Sequence, residues 1–222
     1  MLTREVFWPS IAALDGRELK TLERGRPFEV RDVRQDRVVV TPAVSGTRRT
    51  IRRGTLEGAF NALLDVDQAA CVALNARDLI IERGADRRVA VVGHFPFVEQ
   101  IRRAAARCWV LEITPRPGDI PAERADEVLP QADVVALTGT SLINHTFEDV
   151  MTHCRPDAFV LVLGASAPLT PLLFESGVDA VCGTYVVDPE RVLPLVAQGA
   201  TFRQIRRGGG IRLLTMMNEE MT

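Results

Sequence analysis

The chain has 222 residues, 46% of them hydrophobic, and a formal net charge of −2 with a pI near 6.0. This length allows one large domain or two small ones, and we expect two. Without a basic surplus, nucleic acid and anionic membranes are poor partners, and no apolar run reaches the length that spans a bilayer. The first residues also lack the long apolar core of a signal peptide, so we expect a cytoplasmic protein with a small-molecule partner.

Residues 1–86 predict a small α+β domain. A helix is expected over residues 6–22, followed by strands at 28–33 and 37–44 that form a hairpin. Further helices are expected over residues 56–64 and 67–82, and the turn at residues 84–86 marks the domain boundary.

Four arginines, Arg48, Arg49, Arg52 and Arg53, fall within six residues after the hairpin. Guanidinium groups bind phosphate or carboxylate through paired hydrogen bonds, which predicts an anion clamp. Charged residues also protect the exposed edge strands of sheets. We favour the edge strand.

The cysteines Cys71, Cys108, Cys154 and Cys182 show no C-x-x-C spacing. Cys108 and Cys182 lie within apolar strand patterns. This arrangement predicts reduced, buried thiols rather than disulfides or a zinc site.

From residue 87 onward, apolar strands alternate with helical or turn segments. The strands are expected at residues 89–92, 108–113, 133–137, 158–163, 178–182 and 211–216. Such alternation predicts an α/β, Rossmann-like domain over residues 87–222, a mostly parallel sheet with helices on both faces. Ligands of these sheets bind at the carboxyl ends of the strands, where the strand order reverses.

The first strand of this domain ends at Gly93, and His94 and Phe95 lead into a helix predicted from residue 97. A strand, a glycine turn and a helix N-terminus predict a site for a polar or anionic ligand. The further glycines of a dinucleotide fingerprint are missing. His94 could bind a metal, transfer a proton, or only hydrogen-bond a loop carbonyl.

Glu112 closes the second strand, where it could hold a ribose, ligate a metal or simply meet solvent. Small polar residues after the other strands complete the predicted ligand site: Thr140, Asn144, Thr146, Gly164, Ser166, Gly183 and Thr184. Thr146 is also a candidate helix cap. His145, Asp149 and His153 have the spacing of one helix face, a second possible metal stripe. No nucleophile motif is present, so catalytic residues stay unknown, with His94 and Glu112 as candidates.

These loops together resemble the signature stretches of the putative heavy-metal chelation family. The resemblance rests on Gly93-His94-Phe95-Pro96-Phe97, Glu112, Thr140 with Asn144 and Thr146, residues 164–169 and residues 183–188. It implies an enolase N-terminal-like domain before a Rossmann-like domain, and a divalent metal ion as cofactor. His94 and Glu112 are the metal ligands that we would test first. Ala165, where proline is common in the family, and the arginine cluster depart from the pattern.

The leading hypothesis is a protein, enzyme or not, that binds a polar ligand, with or without a metal ion, in a cleft between its two domains. One alternative is a transferase that uses S-adenosylmethionine or another adenosine cofactor, with Glu112 on the ribose. Another is a non-catalytic, partner-binding subunit. A homodimer is the assembly to test, and the reaction and substrate are not defined by the sequence.

Overall fold

A computed structural model describes residues 18–20, 27–33, 37–42, 49–52, 61, 64 and 66–218. The chain divides into two compact units: residues 1–64 with 141–147, and residues 65–140 with 148–222. The segment between residues 65 and 86 therefore groups with the second unit. The predicted domain boundary between residues 86 and 87 stays a prediction.

The first unit contains a four-stranded antiparallel sheet whose strands lie in chain order. The strands are β1 (Glu18–Lys20), β2 (Pro27–Val33), β3 (Arg37–Pro42) and β4 (Arg49–Arg52). Pairing of β2 with β3 confirms the predicted hairpin. The helix predicted over residues 6–22 is wrong at its end, because Glu18–Lys20 form a strand that pairs with β2. The rest of that helix lies outside the described residues.

The arginine-rich stretch forms β4, which lies at the end of this sheet's strand order. This position agrees with the edge-strand interpretation. Arg48, Arg53 and most of the helix predicted over residues 56–64 lie outside the described residues.

The second unit contains an eight-stranded sheet in the order β5-β12-β11-β10-β9-β6-β7-β8. Its strands are β5 (Cys71–Val72), β6 (Arg88–Val92), β7 (Arg107–Glu112), β8 (Ile120–Pro121), β9 (Val134–Thr138), β10 (Phe159–Leu163), β11 (Ala180–Val186) and β12 (Ile211–Met217). Along this order the six strands from β11 to β8 run parallel, whereas β12 is antiparallel to both of its neighbours, β11 and β5. The predicted Rossmann-like, mostly parallel α/β sheet is confirmed.

The helices are α1 (Ala76–Gly84), α2 (Val98–Ala104), α3 (Ala125–Val128), α4 (Thr140–Asn144), α5 (Phe147–His153), α6 (Pro189–Ala197) and α7 (Phe202–Gly208). Short 3-10 segments lie at Gln68–Ala70, Ala122–Arg124, Leu129–Gln131 and Pro171–Ser176. Within the part of the chain that the structure describes, no helix is long and apolar enough to cross a membrane.

The helix predicted over residues 67–82 is interrupted by β5. Cys71 and Val72 pair with β12, and the Thr215 hydroxyl donates to the Leu74 carbonyl at 2.8 Å. Helix α1 begins only after Asn75, whose side chain accepts the Arg77 N–H at 2.9 Å. The sheet therefore binds backbone groups that a continuous helix would have used internally.

The core of the second unit is formed by both the central strands and the helices beside them. Val89 and Val91 on one face of β6, and Ala90 on the other, are fully buried, as is Ile80 of α1. Burial of residues on both faces of a central strand explains its continuous apolar sequence.

All four cysteines are free thiols, as the sequence predicts. Burial raises the pKa of Cys108, Cys154 and Cys182 to about 11. Cys71 is less buried, and its pKa is raised first by burial and then by the nearby Asp67 carboxylate. Reduced thiols with raised pKa values are weak nucleophiles, which suits a structural role.

We expect iodoacetamide at pH 8 to label Cys108, Cys154 and Cys182 about a hundredfold more slowly in the native protein than in urea, because thiolate is the reacting form. Cys71 should be labelled first. Peptide mass spectrometry of a time course measures each site. Equal native and unfolded labelling rates would contradict the burial of these thiols.

Candidate functional site

The order of parallel strands reverses between β6 and β9, which are neighbours with Val92 opposite Leu137. Their following loops therefore emerge side by side. Gly93 has a φ of +100°, and a Cβ there would lie 3.1 Å from Thr138 Cβ. Glycine is required on both counts, since its backbone takes this conformation without strain and leaves room for Thr138.

Two hydroxyl groups lie on the β9 side of this point. The Oγ1 atoms of Thr138 and Thr140 are 2.8 Å apart, and the Thr140 side chain is exposed. The structure thus places Thr140, a predicted ligand residue, next to the turn that contains Gly93. Hydroxyls of this kind offer directional hydrogen bonds to a polar ligand.

His94 is held by a carboxylate that the sequence interpretation missed. Its Nδ1 lies 3.1 Å from Oδ2 of Asp119, whose side chain is 2% exposed, whereas that of His94 is 24% exposed. The same oxygen accepts the Arg116 N–H at 3.1 Å, and Nη2 of Arg102 lies 3.9 Å from the other oxygen. His94 is therefore oriented by a buried acid.

Asp119 follows Gly118 in the connection between β7 and β8. Gly118 has a φ of +92°, which makes the turn that directs Asp119 inward. The Pro117-Gly118-Asp119 turn was the available sequence signal. It identifies a turn, but only the packing of β7 beside β6 identifies the partner of its acid.

The helix N-terminus after this turn offers less to an anion than predicted. The Val98 N–H donates to the Phe95 carbonyl at 3.2 Å, and the Gln100 N–H to the Phe97 carbonyl at 2.9 Å. The rings of Phe95 and Phe97 stack with centroids 5.4 Å apart and pack against the core. These two amides and the aromatic rings serve the turn itself.

Two of the glycines at the strand ends accommodate protein rather than ligand. A Cβ on Gly139 would lie 2.6 Å from the Ala167 nitrogen, and one on Gly183 would lie 2.7 Å from Leu169 Cγ. The loop of residues 164–170 thus packs directly on the ends of β9 and β11. The small residues there permit this packing.

Gly183 and Thr184 lie within β11, although the sequence predicted that the strand ends at Cys182. Thr184 pairs with Leu213 of β12, so the antiparallel neighbour continues the ladder through Val186. Gly164 has a φ of +125°, and its carbonyl accepts the Ala167 N–H at 3.2 Å. This bond closes a turn that contains Ser166. Ligand binding by these four residues stays a prediction.

Asn144 and Thr146 belong to the 141–147 segment, which groups with the first unit. Asn144 is the last residue of α4, and the Thr146 N–H donates to the Ser141 carbonyl at 3.0 Å. Helix α5 begins directly after Thr146, where the cap was predicted. A ligand role for either residue stays a prediction.

Glu112 is the last residue of β7, the strand next to β6. Its Oε1 accepts the N–H of its neighbour Ile113 at 2.9 Å. His94 and Glu112 thus lie at the carboxyl ends of two adjacent parallel strands, as expected of residues around one site.

The described residues include no group of three or more His, Cys, Asp or Glu side chains arranged to hold a metal ion. The predicted stripe of His145, Asp149 and His153 is not such a group. His145, with a φ of +57°, precedes α5, and His153 Nε2 lies 3.7 Å from Asp149. Protein metal sites usually use three or four side chains, so these residues do not form a complete metal centre by themselves.

Comparisons with family models and with solved structures identify the same family. A family model described as Putative heavy-metal chelation, DUF364, matches residues 75–215. An uncharacterised protein of Methanocaldococcus jannaschii is 25% identical over 125 residues, which cover 54% of this chain and 48% of that protein. The chain therefore spans about half the length of the curated relative that it matches.

Two solved structures of DUF364 proteins with unknown function share the fold. The protein from Desulfitobacterium hafniense is 19% identical with a TM-score of 0.58, over 83% of this chain and 88% of its own. The protein from Pyrococcus horikoshii is 12% identical with a TM-score of 0.62, over 90% and 91% of the two chains. Because the family match covers well over half of the chain, this protein belongs to the Putative heavy-metal chelation family, DUF364, whose description associates it with metal binding.

Proposed function

We propose that this protein binds a small polar molecule at the carboxyl ends of β6 and β9. The observation that supports the proposal best is the juxtaposition of two loops where the strand order reverses. One loop carries His94, which a buried acid orients, and the other carries the exposed hydroxyl of Thr140. Rossmann-like sheets bind their ligands at this position.

The two loops have different roles in this proposal. His94 and Thr140 make directional hydrogen bonds to the ligand, while Gly93 keeps the β6 loop close to Thr138. Glu112, at the end of the adjacent strand, contacts a more distant part of the ligand. Gly164, Ser166, Gly183 and Thr184 follow or extend the neighbouring strands and complete the proposed binding surface.

A metal ion, in this proposal, binds only together with that small molecule. In that case Nε2 of His94 would coordinate the metal ion instead of accepting a hydrogen bond, and Glu112 would supply the second protein ligand, fewer in all than a zinc site normally has. The remaining donor atoms would come from the small molecule, so metal binding should depend on its presence. Metal analysis of the protein with and without a co-purifying molecule tests this part.

Native mass spectrometry of the freshly purified protein should reveal a bound small molecule. After its identification, we expect His94→Ala and Thr140→Val each to weaken its binding about tenfold. Loss of one hydrogen bond of about 1.4 kcal/mol has this effect. Isothermal titration calorimetry measures the dissociation constants.

The control is His153→Ala, which removes a histidine from α5 that is not part of the proposed site. It should bind the molecule as the wild type does. A molecule whose affinity is unchanged by both His94→Ala and Thr140→Val binds elsewhere, and the proposal would then be wrong.

An adenosine cofactor such as S-adenosylmethionine is the second candidate. It is favoured by the position of Glu112 at the end of β7, the strand whose terminal acid binds ribose in dinucleotide folds. A thermal-shift screen with S-adenosylmethionine, NAD and ATP tests it. Stabilisation by S-adenosylmethionine that Glu112→Gln abolishes would support this candidate, and no shift with any of the three would remove it.

A further inference from the structure

We infer that Asp119 is a positioning residue that keeps the proton of His94 on Nδ1, so that Nε2 faces the ligand as a hydrogen-bond acceptor. The ligand group that meets the neutral ring is therefore a hydrogen-bond donor, such as a hydroxyl or an ammonium, and not a phosphate or carboxylate. This inference rests on the proposed function and specifies the chemistry of its ligand.

The geometry of the pair decides where the proton lies. Nδ1 of His94 is 3.1 Å from Oδ2 of Asp119, and a carboxylate oxygen can only accept a hydrogen bond. Nδ1 must therefore be the donor. In a neutral imidazole the other nitrogen, Nε2, then carries a lone pair.

The burial of Asp119 makes this orientation firm. Its side chain is 2% exposed, and its Oδ2 also accepts the Arg116 N–H at 3.1 Å. Two contacts from different positions in the chain fix the carboxylate. A buried, hydrogen-bonded acid behind a histidine is how proteins set both the tautomer and the ring orientation.

The charges around the turn disfavour an anion. Asp119 brings a negative charge directly behind His94, and the Arg102 guanidinium beside Asp119 is shared between two acids. Its Nη2 lies 3.9 Å from Asp119, and its Nε lies 3.5 Å from Glu99. A phosphate bound at Nε2 would therefore meet an acceptor lone pair beside a carboxylate.

The backbone hydrogen bonds of the turn also disfavour an anion. The amides of Val98 and Gln100 donate to carbonyls within the turn. Phosphate-binding turns instead direct such amides toward the ligand. These two amides are therefore not available to a phosphate.

Nuclear magnetic resonance of protein labelled with ¹⁵N-histidine tests the inference without any ligand. The chain has three histidines, and a His94→Gln spectrum identifies the signals of His94. In a long-range ¹H–¹⁵N correlation at pH 8, we expect the Nδ1-protonated pattern in the wild type. The Nε2-protonated pattern there would overturn the inference, even if a ligand is found at the site.

Asp119→Ala should shift His94 toward the Nε2-protonated tautomer, because it removes the acceptor of the Nδ1–H. Asparagine is a poorer test, since its amide oxygen can accept both the Arg116 N–H and the His94 Nδ1–H at the position of Oδ2. The control is Asp126→Ala on α3, an exposed acid outside the turn, which should leave the pattern unchanged. Should Asp119→Ala fail to fold, the wild-type pattern still decides the question.

Inorganic phosphate is the probe for the ligand class. At constant ionic strength it should cause no saturable change in the His94 signals of the wild type. A saturable change, absent from the signals of His153, would overturn the donor-ligand inference. Failure of the proposed function is a separate result, because it is measured by ligand binding and not by the tautomer.

Discussion

Replacement of Gly139 by alanine is expected to destabilise the protein by about 3 kcal/mol, through overpacking and a lost hydrogen bond. The new Cβ would lie 2.6 Å from the nitrogen and 2.8 Å from the Cα of Ala167. Both are backbone atoms, so no side-chain rotation relieves the clash. The Gly139 N–H also donates to the Leu163 carbonyl at 2.8 Å, and this bond must lengthen if the loop of residues 164–170 moves.

Urea unfolding measures this effect as a lower midpoint with an unchanged slope. Gly199→Ala is the matched control, because a Cβ at Gly199 meets nothing within 4 Å and only its φ of +72° opposes the change. It should cost about 1 kcal/mol. Because Gly139 itself has no positive φ, only the contact with Ala167 opposes an alanine there, and a loss at Gly139 no larger than that at Gly199 would contradict this account.

Replacement of Asp133 by alanine is expected to cost about 2–3 kcal/mol at pH 7, because it removes four charged hydrogen bonds, leaves Arg88 without this carboxylate and leaves Arg155 with Asp157 alone. Asp133 accepts the Arg88 N–H at 2.9 Å and the Arg88 guanidinium at 2.7 and 3.0 Å. It also accepts Nη1 of Arg155 at 2.8 Å. These bonds connect the beginnings of β6 and β9 with the segment that leads into β10.

The control is Asp157→Ala, which removes another partner of Arg155. The Asp157 side chain is 70% exposed, compared with 23% for Asp133. Solvent screens an ion pair this exposed, so we expect a clearly smaller loss of stability than at Asp133. A loss at Asp157 as large as that at Asp133 would contradict this account.

The contribution of Asp133 also has a defined pH dependence. The side-chain hydrogen bonds from Arg88 hold the pKa of Asp133 well below its usual range. An acid with a lowered folded pKa stabilises the protein above its unfolded pKa of about 3.9, and this contribution is lost as the pH falls through the folded value. The difference between wild type and Asp133→Ala should therefore be constant from pH 8 to about 5 and shrink below about 4. A difference that grows in acid would contradict this sign.

Much of the Rossmann-like unit could be predicted because its signals are local. The run Val89-Ala90-Val91-Val92, stopped by Gly93, forms β6 almost as predicted. Continuous apolar runs identify strands that are buried on both faces, and the glycine with positive φ identifies the turn. The family resemblance, read from the same loops, is confirmed by the match to residues 75–215.

The failures occur where a distant segment decides the local structure. Cys71 and Val72 form a strand instead of a helix because β12, more than a hundred residues later, pairs with them. Gly183 and Thr184 extend β11 for the same reason. Propensity and periodicity contain no information about such a partner.

The sequence by itself determined the parallel sheet, the turn at Gly93 and His94 as its polar residue, because these follow from apolar runs and glycine geometry within a few residues. Only the tertiary structure decided that the strand order reverses beside Gly93. It alone showed that Gly139 and Gly183 make room for a loop, and that Asp119 orients His94. Each of these depends on which segments pack together, a property of the three-dimensional arrangement of strands and not of spacing along the chain.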